Sequence, residues 1–246
     1  MTTPLKPLSG DQMALQTPRL PLWTKLTYTA FVAVLVPYYW QAYGPTNFLY
    51  FCDMALLLTL VALWIESPLL ASACAVGILL PQAVWMLDFL GSWMGLPFTG
   101  MTAYMFQDSL PLFTRFLSFF HFWLPLVLIW LVWRLGYDRR GLWLWWPLAW
   151  AAMWLSYLYI PMPPAPASNP GLPVNVNYVF GFNDSAAQTW LPAPVFFALM
   201  LVALPVVVLW PTHWLLKRFA PSAQERRMPR SNLPDLDLAE TDRPTR

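Results

Sequence analysis

Long apolar runs alternate with short polar stretches along this chain of 246 residues. Six runs are long enough to cross a hydrocarbon core about 30 Å thick, which takes about 20 helical residues. They cover residues 24–43, 47–65, 68–90, 112–134, 142–160 and 193–215. The strict alternation of polar and apolar residues that marks a membrane β-strand is absent. The pattern therefore predicts an all-α, polytopic membrane protein with a six-helix transmembrane bundle.

Proline interrupts five of the six runs. These residues are Pro37, Pro81, Pro125, Pro147 and Pro205. Proline lacks the N–H that continues a helical hydrogen-bond ladder, so it bends the helix that contains it. We therefore expect proline-kinked helices, which open cavities more readily than straight ones.

Three segments lie outside the runs or connect them at length. Residues 1–23 are polar and proline-punctuated, which predicts a cytoplasmic N-terminal segment. Residues 161–192 form the longest connection, an expected extracytoplasmic loop that is proline-rich at first and then polar and aromatic. Residues 216–246 mix charges with proline and serine, which predicts a disordered cytoplasmic tail.

Composition and charge support this arrangement. Hydrophobic residues make up 58% of the chain and charged residues 11%, against about 25% charged in a soluble domain. Of the 14 lysine and arginine residues, all but Arg115 fall on one side of the six-span arrangement. Cations mark the cytoplasmic side of membrane proteins, so we expect an inner-membrane protein with both termini cytoplasmic. The net charge of +2 then reflects topology and not nucleic-acid binding.

Ionisable residues gather in the outer half of the predicted bundle. At 1.5 Å per residue, Cys52, Asp53, Asp88, Arg115 and His121 lie roughly 3–14 Å below the outer surface. Charged side chains at membrane depth usually face a protein interior or a water-filled cavity. We therefore expect an outward-facing polar pocket in which Asp88 pairs with Arg115 and Asp53 pairs with His121.

Four uncharged residues extend this predicted pocket. Gln82 lies on the third helix, and Ser118 shares a face of the fourth helix with the nearby histidine. Asn177 and Tyr178 belong to the long loop and could form a lid over the pocket. Ordinary loop polarity and structural helix pairing explain the same residues equally well.

Cys52 and His121 also suggest covalent chemistry. A cysteine thiol is a nucleophile when a base accepts its proton, and an acid such as Asp53 can orient the base. The structural alternatives are a buried cysteine that acts as a small hydrophobe and a histidine that joins two helices. We expect no metal, because no second histidine lies at a matching depth, and the sequence indicates no cofactor.

Three short motifs resemble a known family when taken in order. They are "YFCD" (50–53), "FFHFWLP" (119–125) and "NVNYVFG" (175–181), and together they resemble the YwaF-like integral membrane proteins. Those proteins are similar to a eukaryotic family that includes an ether-phospholipid acyltransferase. The resemblance implies a six-helix bundle with Cys52 as nucleophile and His121 as base, but this chain lacks the histidine that relatives tend to carry before the cysteine.

Three functions follow as hypotheses. The first is a lipid acyltransferase or lipid-ester hydrolase that acts on a membrane lipid. The second is a non-catalytic accessory or structural subunit of a membrane complex, with membrane-protein partner subunits. The third is a proton-coupled small-molecule transporter that uses Asp53 and His121 as a proton relay.

Overall fold

Six helices form the part of the chain that the structure, a computed structural model, describes: residues 20–96, 98–169 and 171–224. The helices are α1 (Leu22–Tyr43), α2 (Phe51–Trp64), α3 (Pro68–Trp93), α4 (Leu112–Leu135), α5 (Arg140–Tyr159) and α6 (Ala193–Phe219). The described residues include no β-strand, so the predicted all-α fold with six helices is confirmed. The predictions for residues 1–19 and for the tail from 225 onward lie outside the described residues.

Three of the helices can cross a membrane by length and composition. They are α3, α4 and α6, while α2 is apolar but has only 14 residues. Large apolar side chains also face outward along the helices, including Leu126 and Ile129 on α4 and Val202 and Val206 on α6. Such exposure is unusual for a soluble protein and marks a surface that contacts lipid. The chain is therefore a helical membrane protein.

Helix α3 lies at the centre of the bundle, in contact with α2, α4, α5 and α6. Its first half is buried and consists mainly of small residues (71–78). Small residues let neighbouring helices approach closely in membranes. The contact between α3 and α5 at Gly77 is an example. A Cβ atom at this position would lie 1.9 Å from Cε2 of Trp145, a fully buried residue of α5.

Two helices are irregular. Helix α4 consists of Leu112–Ser118 and Phe120–Leu135, with an interruption at Phe119. Helix α6 contains a π-helical segment, Leu204–Leu209, whose second residue is Pro205. Proline cannot donate the regular helical hydrogen bond, so a local change of helical pitch at this position is expected. The other four prolines lie inside α-helical segments: Pro37, Pro81, Pro125 and Pro147.

The connections divide between two ends of the bundle. We call one the long-loop end, formed by residues 44–50, 94–111 and 160–192, and the other the short-turn end. At the short-turn end an ion pair joins Lys25 Nζ to Glu66 Oε1 at 2.7 Å. The described cations other than Arg115 lie at or near the short-turn end: Lys25, Arg134, Arg139, Arg140, Lys217 and Arg218.

Candidate functional site

The longest loop attaches to the start of α2 through Asn177. Its Oδ1 accepts a hydrogen bond from the backbone N–H of Phe51 at 3.0 Å, and its Nδ2 donates to the carbonyl of Leu49 at 2.9 Å. The apolar pattern predicted a helix from residue 47. The helix instead begins at Phe51, because Pro45–Leu49 form a 3₁₀ turn and Asn177 satisfies an N–H that a helix start leaves free.

The same loop adopts a backbone conformation that side chains disfavour. Asn175, Asn177 and Tyr178 have φ angles of 50°, 60° and 60°, which asparagine tolerates but tyrosine rarely adopts. Hydrogen bonds within the loop stabilise this conformation. Asn175 Oδ1 accepts from Phe180 N at 2.7 Å, and its Nδ2 donates to Gly181 O at 2.8 Å. Strained backbone of this kind is found most often at functional sites.

Asp53 is a buried acid with an unused acceptor. Its side chain is at the first turn of α2, and the residue is only 4% exposed. Oδ2 accepts from Asn47 Nδ2 at 3.4 Å and from Cys52 Sγ at 3.7 Å, whereas Oδ1 is buried and has no hydrogen-bond partner in the part of the chain that the structure describes. A buried polar atom without a partner is rare in folded proteins, so Oδ1 marks a place for a proton, a water molecule or a ligand.

Two tyrosines of α1 contact the hydroxyl groups of Thr114 and Ser118 on α4. The Tyr39 hydroxyl is 3.0 Å from Ser118 Oγ, and the Tyr38 hydroxyl is 2.5 Å from Thr114 Oγ1. Ser118 Oγ also donates to the carbonyl of Thr114 at 3.0 Å. Ser118, which the sequence assigns to a pocket, therefore helps to join α1 to α4.

His121 does not pair with Asp53 or Cys52. Its Nδ1 donates to the carbonyl of Ser118 at 2.7 Å, and its ring stacks on Trp85 with the centroids 4.7 Å apart. The interruption of α4 explains this bond, because Phe122 N donates to the Phe119 carbonyl and leaves the Ser118 carbonyl available. Among the described residues no hydrogen bond links this histidine to the cysteine or the acid of α2, so the predicted pairing with Asp53 is wrong.

Asp88 is bound by the loop that follows its own helix. Its Oδ1 accepts from the backbone N–H groups of residues 98, 99 and 100 at 3.0, 2.6 and 3.0 Å. Its Oδ2 accepts from the N–H and the hydroxyl of Thr102 at 2.9 and 2.7 Å. Consecutive N–H groups in a turn form a natural site for an anion. The predicted Asp88–Arg115 ion pair is therefore wrong, because the loop backbone already surrounds the carboxylate.

Arg115 lies instead in the wall of an apolar groove of about 380 Å³. The other residues of the wall are Phe89, Met105, Phe106, Leu112, Phe116 and Phe119. The Nε of Arg115 is buried and has no hydrogen-bond partner, and no acid of the described segments forms a salt bridge with its guanidinium.

A second cavity, of about 330 Å³, lies between the two long loops at the same end. Residues from 99–107 and 178–185 line it: Thr99, Gly100, Met101, Ala103, Tyr104, Gln107, Tyr178, Phe182, Asn183, Asp184 and Ser185. We call it the polar cavity. The 3₁₀ turn Ala103–Phe106 separates it from the apolar groove, because its first two residues line the cavity and its last two line the groove.

Cys52 and Asp53 interact electrostatically with tyrosines that line the polar cavity. Burial raises the pKa of the Tyr104 phenol far above its ordinary value, a hydrogen bond with Ser118 opposes this, and both residues of α2 add to the rise. Burial likewise raises the pKa of Tyr178, and Asp184 and Cys52 raise it further. Cys52 thus interacts with both tyrosines of the cavity wall, and Asp53 interacts with Tyr104.

The predicted site residues therefore fall into separate environments. Cys52 and Asp53 lie together, and Tyr178 lines the polar cavity near them. Gln82 is buried on α3 with no partner for its Oε1, and it lines neither cavity. The sequence interpretation missed Tyr104, which lies in a loop without any charge pattern to identify it.

Further residues were missed for the same reason. By sequence, Thr102 and Asp184 are ordinary polar loop residues and Asn47 is the first residue of a predicted helix. Each nevertheless contacts a buried group or lines a cavity. Only the folding of the loops over the helix ends gives them partners.

No family model matches this chain, and the comparisons with curated proteins and with solved structures find no match.

Proposed function

We propose that this membrane protein binds an anionic membrane lipid at its long-loop end. Arg115 is the charge partner of the lipid headgroup, and the apolar groove beside it holds part of an acyl chain. The observation that carries the proposal is the buried Nε of Arg115, which has no partner within the described residues.

Two physical arguments support an anionic lipid. An unpaired guanidinium in an apolar wall is costly, and pairing it with an anion relieves much of that cost. Arginine also matches phosphate and carboxylate groups geometrically, because its planar N–H donors bind two oxygens at once. The remaining groove residues are aromatic or aliphatic, which suits an acyl chain, and a volume of about 380 Å³ lies within the usual range of ligand pockets.

The distribution of cations supports an orientation for this site. The described cations other than Arg115 lie at or near the short-turn end, as expected of a cytoplasmic face. The long-loop end would then face away from the cytoplasm at the inner membrane, with both termini cytoplasmic. Single cysteines at Ser185 and Arg139, in a chain lacking its native cysteines, test this. In intact cells, an impermeant maleimide should label the cysteine of Ser185→Cys and not that of Arg139→Cys.

Lipid binding can be measured on the purified chain by native mass spectrometry. We expect phosphatidylglycerol to bind more tightly than phosphatidylcholine, and Arg115→Gln to weaken phosphatidylglycerol binding roughly 10- to 100-fold, the equivalent of about 1.5–3 kcal/mol for a charge-assisted contact. Arg115→Lys should retain part of the preference. The matched control is Arg139→Gln, an exposed arginine beyond the other end of the same helix. Equal effects of the two Gln variants would contradict the proposal.

Acyl chemistry at Cys52 is a second candidate function, favoured by the contact between its thiol and Asp53. In this hypothesis Sγ attacks the carbonyl of a lipid ester while Asp53, in its carboxylate form, takes the thiol proton. The ester bond breaks, and the leaving alcohol receives that proton. The resulting thioester passes its acyl group to an acceptor alcohol or to water. Asp53 replaces His121 as the base, because within the described residues the thiol is hydrogen-bonded to this acid and not to the histidine.

A thioester intermediate has a specific signature. Vesicles containing a phospholipid with an alkyne-tagged acyl chain should transfer the tag to the protein, and hydroxylamine should remove it. Cys52→Ala should abolish this labelling, whereas Cys74→Ala, which changes the buried cysteine of α3, should retain it. His121→Ala should retain labelling and Asp53→Asn should slow it. Labelling that survives in Cys52→Ala would exclude this chemistry and leave lipid binding as the function.

A further inference from the structure

The polar cavity carries negative charge and no positive charge. Asp184 is the acid in its wall, and no lysine, arginine or histidine of the described segments lines it. The two loops that build it (94–111 and 160–192) contain none of these residues either. Asn175 Nδ2 donates to Asp184 Oδ1 at 3.2 Å, which fixes the position of the carboxylate at the cavity.

Three aromatic residues share the cavity wall with this acid. Tyr104 comes from one loop, and Tyr178 and Phe182 come from the other. The faces of aromatic rings attract cations, and a cage of several rings is the common means of recognising quaternary ammonium groups. Gln107 and Ser185 add hydrogen-bonding groups to the same wall.

We propose that the polar cavity binds an organic ammonium group, carried either by a small soluble molecule or by the headgroup of a lipid. Asp184 supplies the opposing charge, and Tyr104, Tyr178 and Phe182 supply the aromatic faces. The cavity volume of about 330 Å³ accommodates a group of this size but is small for a larger ligand. This inference does not depend on the proposed function, because it concerns a different cavity and a ligand of opposite charge.

Isothermal titration of the full chain in phosphatidylglycerol nanodiscs provides the test, with choline and tetramethylammonium as probes. We expect both cations to bind and 3,3-dimethylbutan-1-ol, the uncharged carbon analogue of choline, to bind at least 10-fold more weakly. Asp184→Asn should weaken choline binding at least 10-fold. The control is Asp108→Asn, which changes an exposed acid of the same loops that does not line the cavity.

A second pair of variants separates loss of the site from loss of the loop structure. Asp184→Glu keeps the charge and should keep part of the affinity, and Tyr104→Leu removes an aromatic face without touching the bond from Asn175. Unchanged choline affinity in both Asp184→Asn and Tyr104→Leu would overturn the proposal, as would equal binding of the uncharged analogue. Absence of binding by either cation in these nanodiscs would overturn it as well.

The source of the ammonium group is resolved by changing the lipid. In phosphatidylcholine nanodiscs a headgroup ligand would already occupy the cavity, so the apparent affinity for free choline should fall relative to phosphatidylglycerol nanodiscs. A soluble ligand would give the same choline affinity in both. Each result is consistent with an ammonium site and identifies which molecule delivers the group.

Discussion

Asn177 should determine how firmly the start of α2 is held. Its side chain makes two hydrogen bonds, with Phe51 N and Leu49 O, and the residue is 8% exposed. Each such bond contributes about 1 kcal/mol, so Asn177→Gly should destabilise this contact by about 2 kcal/mol. Asn177→Ala should cost about 1 kcal/mol more, because alanine disfavours the φ of 60° at this position.

Cys52 reports on this opening, because it directly follows Phe51 and the residue is only partly exposed. In a Cys74→Ala background, the rate of alkylation by a maleimide measures how often the start of α2 opens. Free energies of about 2 and 3 kcal/mol correspond to rate increases of roughly 30-fold and 150-fold for the glycine and alanine variants.

The control is Asn169→Gly, an exposed asparagine of the same loop, which should leave the rate unchanged. If Asn177→Gly alkylates no faster than this control, the loop does not hold α2. If the glycine and alanine variants react at the same rate, the argument from backbone strain is wrong even though the hydrogen bonds matter.

Three further predictions concern other parts of the bundle. Asp88→Asn removes the charge that the loop N–H groups surround and should destabilise that loop by about 2–4 kcal/mol; hydrogen exchange at residues 98–102 should speed up. Gly77→Ala should lower the free energy of unfolding by about 1–3 kcal/mol, because the new methyl group overlaps the Trp145 ring. Gly171→Ala should leave it unchanged, because the new methyl group would lie 3.7 Å from its nearest contact, the carbonyl oxygen of Ala42. Choline binding should weaken as the pH falls, because the ligand needs the carboxylate of Asp184. Desolvation raises the pKa of that group, so the loss should occur above the pH at which an exposed aspartate titrates, and a binding midpoint at the ordinary value would contradict this.

The two cavities depend on one loop and on the buried acid that fixes it. Asp88 binds residues 98–100 and Thr102, which directly precede the turn Ala103–Phe106. That turn contributes residues to both the apolar groove and the polar cavity. We therefore assign Asp88 a positioning role, in which it determines the shape of both sites without contacting a ligand.

The helices were predictable from the sequence because each lies within a long apolar run that polar residues bound. The predicted starts at 68, 112 and 193 coincide with the observed first residues of α3, α4 and α6. The start of α2 was placed four residues early, at 47, because the residues that set it are remote in sequence. Only the folded loop brings Asn177 to Phe51.

The pairing of charges was not predictable from depth. Depth along the membrane normal brings Asp88 and Arg115 to similar levels, but it ignores the backbone, which offers four N–H donors to the carboxylate. The same holds for His121, whose partner is a carbonyl made available by an interruption in its own helix. Backbone groups compete with side chains for buried charges, and hydrophobic patterns do not show which backbone groups are free.

Photo-crosslinking with phosphatidylglycerol that carries a diazirine on its acyl chain tests the proposed lipid site most directly. In nanodiscs, the account predicts crosslinks concentrated on Phe106, Phe116 and Phe119, in the groove beside Arg115, and loss of these crosslinks in Arg115→Gln but not in Arg139→Gln. Crosslinks spread over the outer faces of all helices, with the same pattern in both variants, would contradict it.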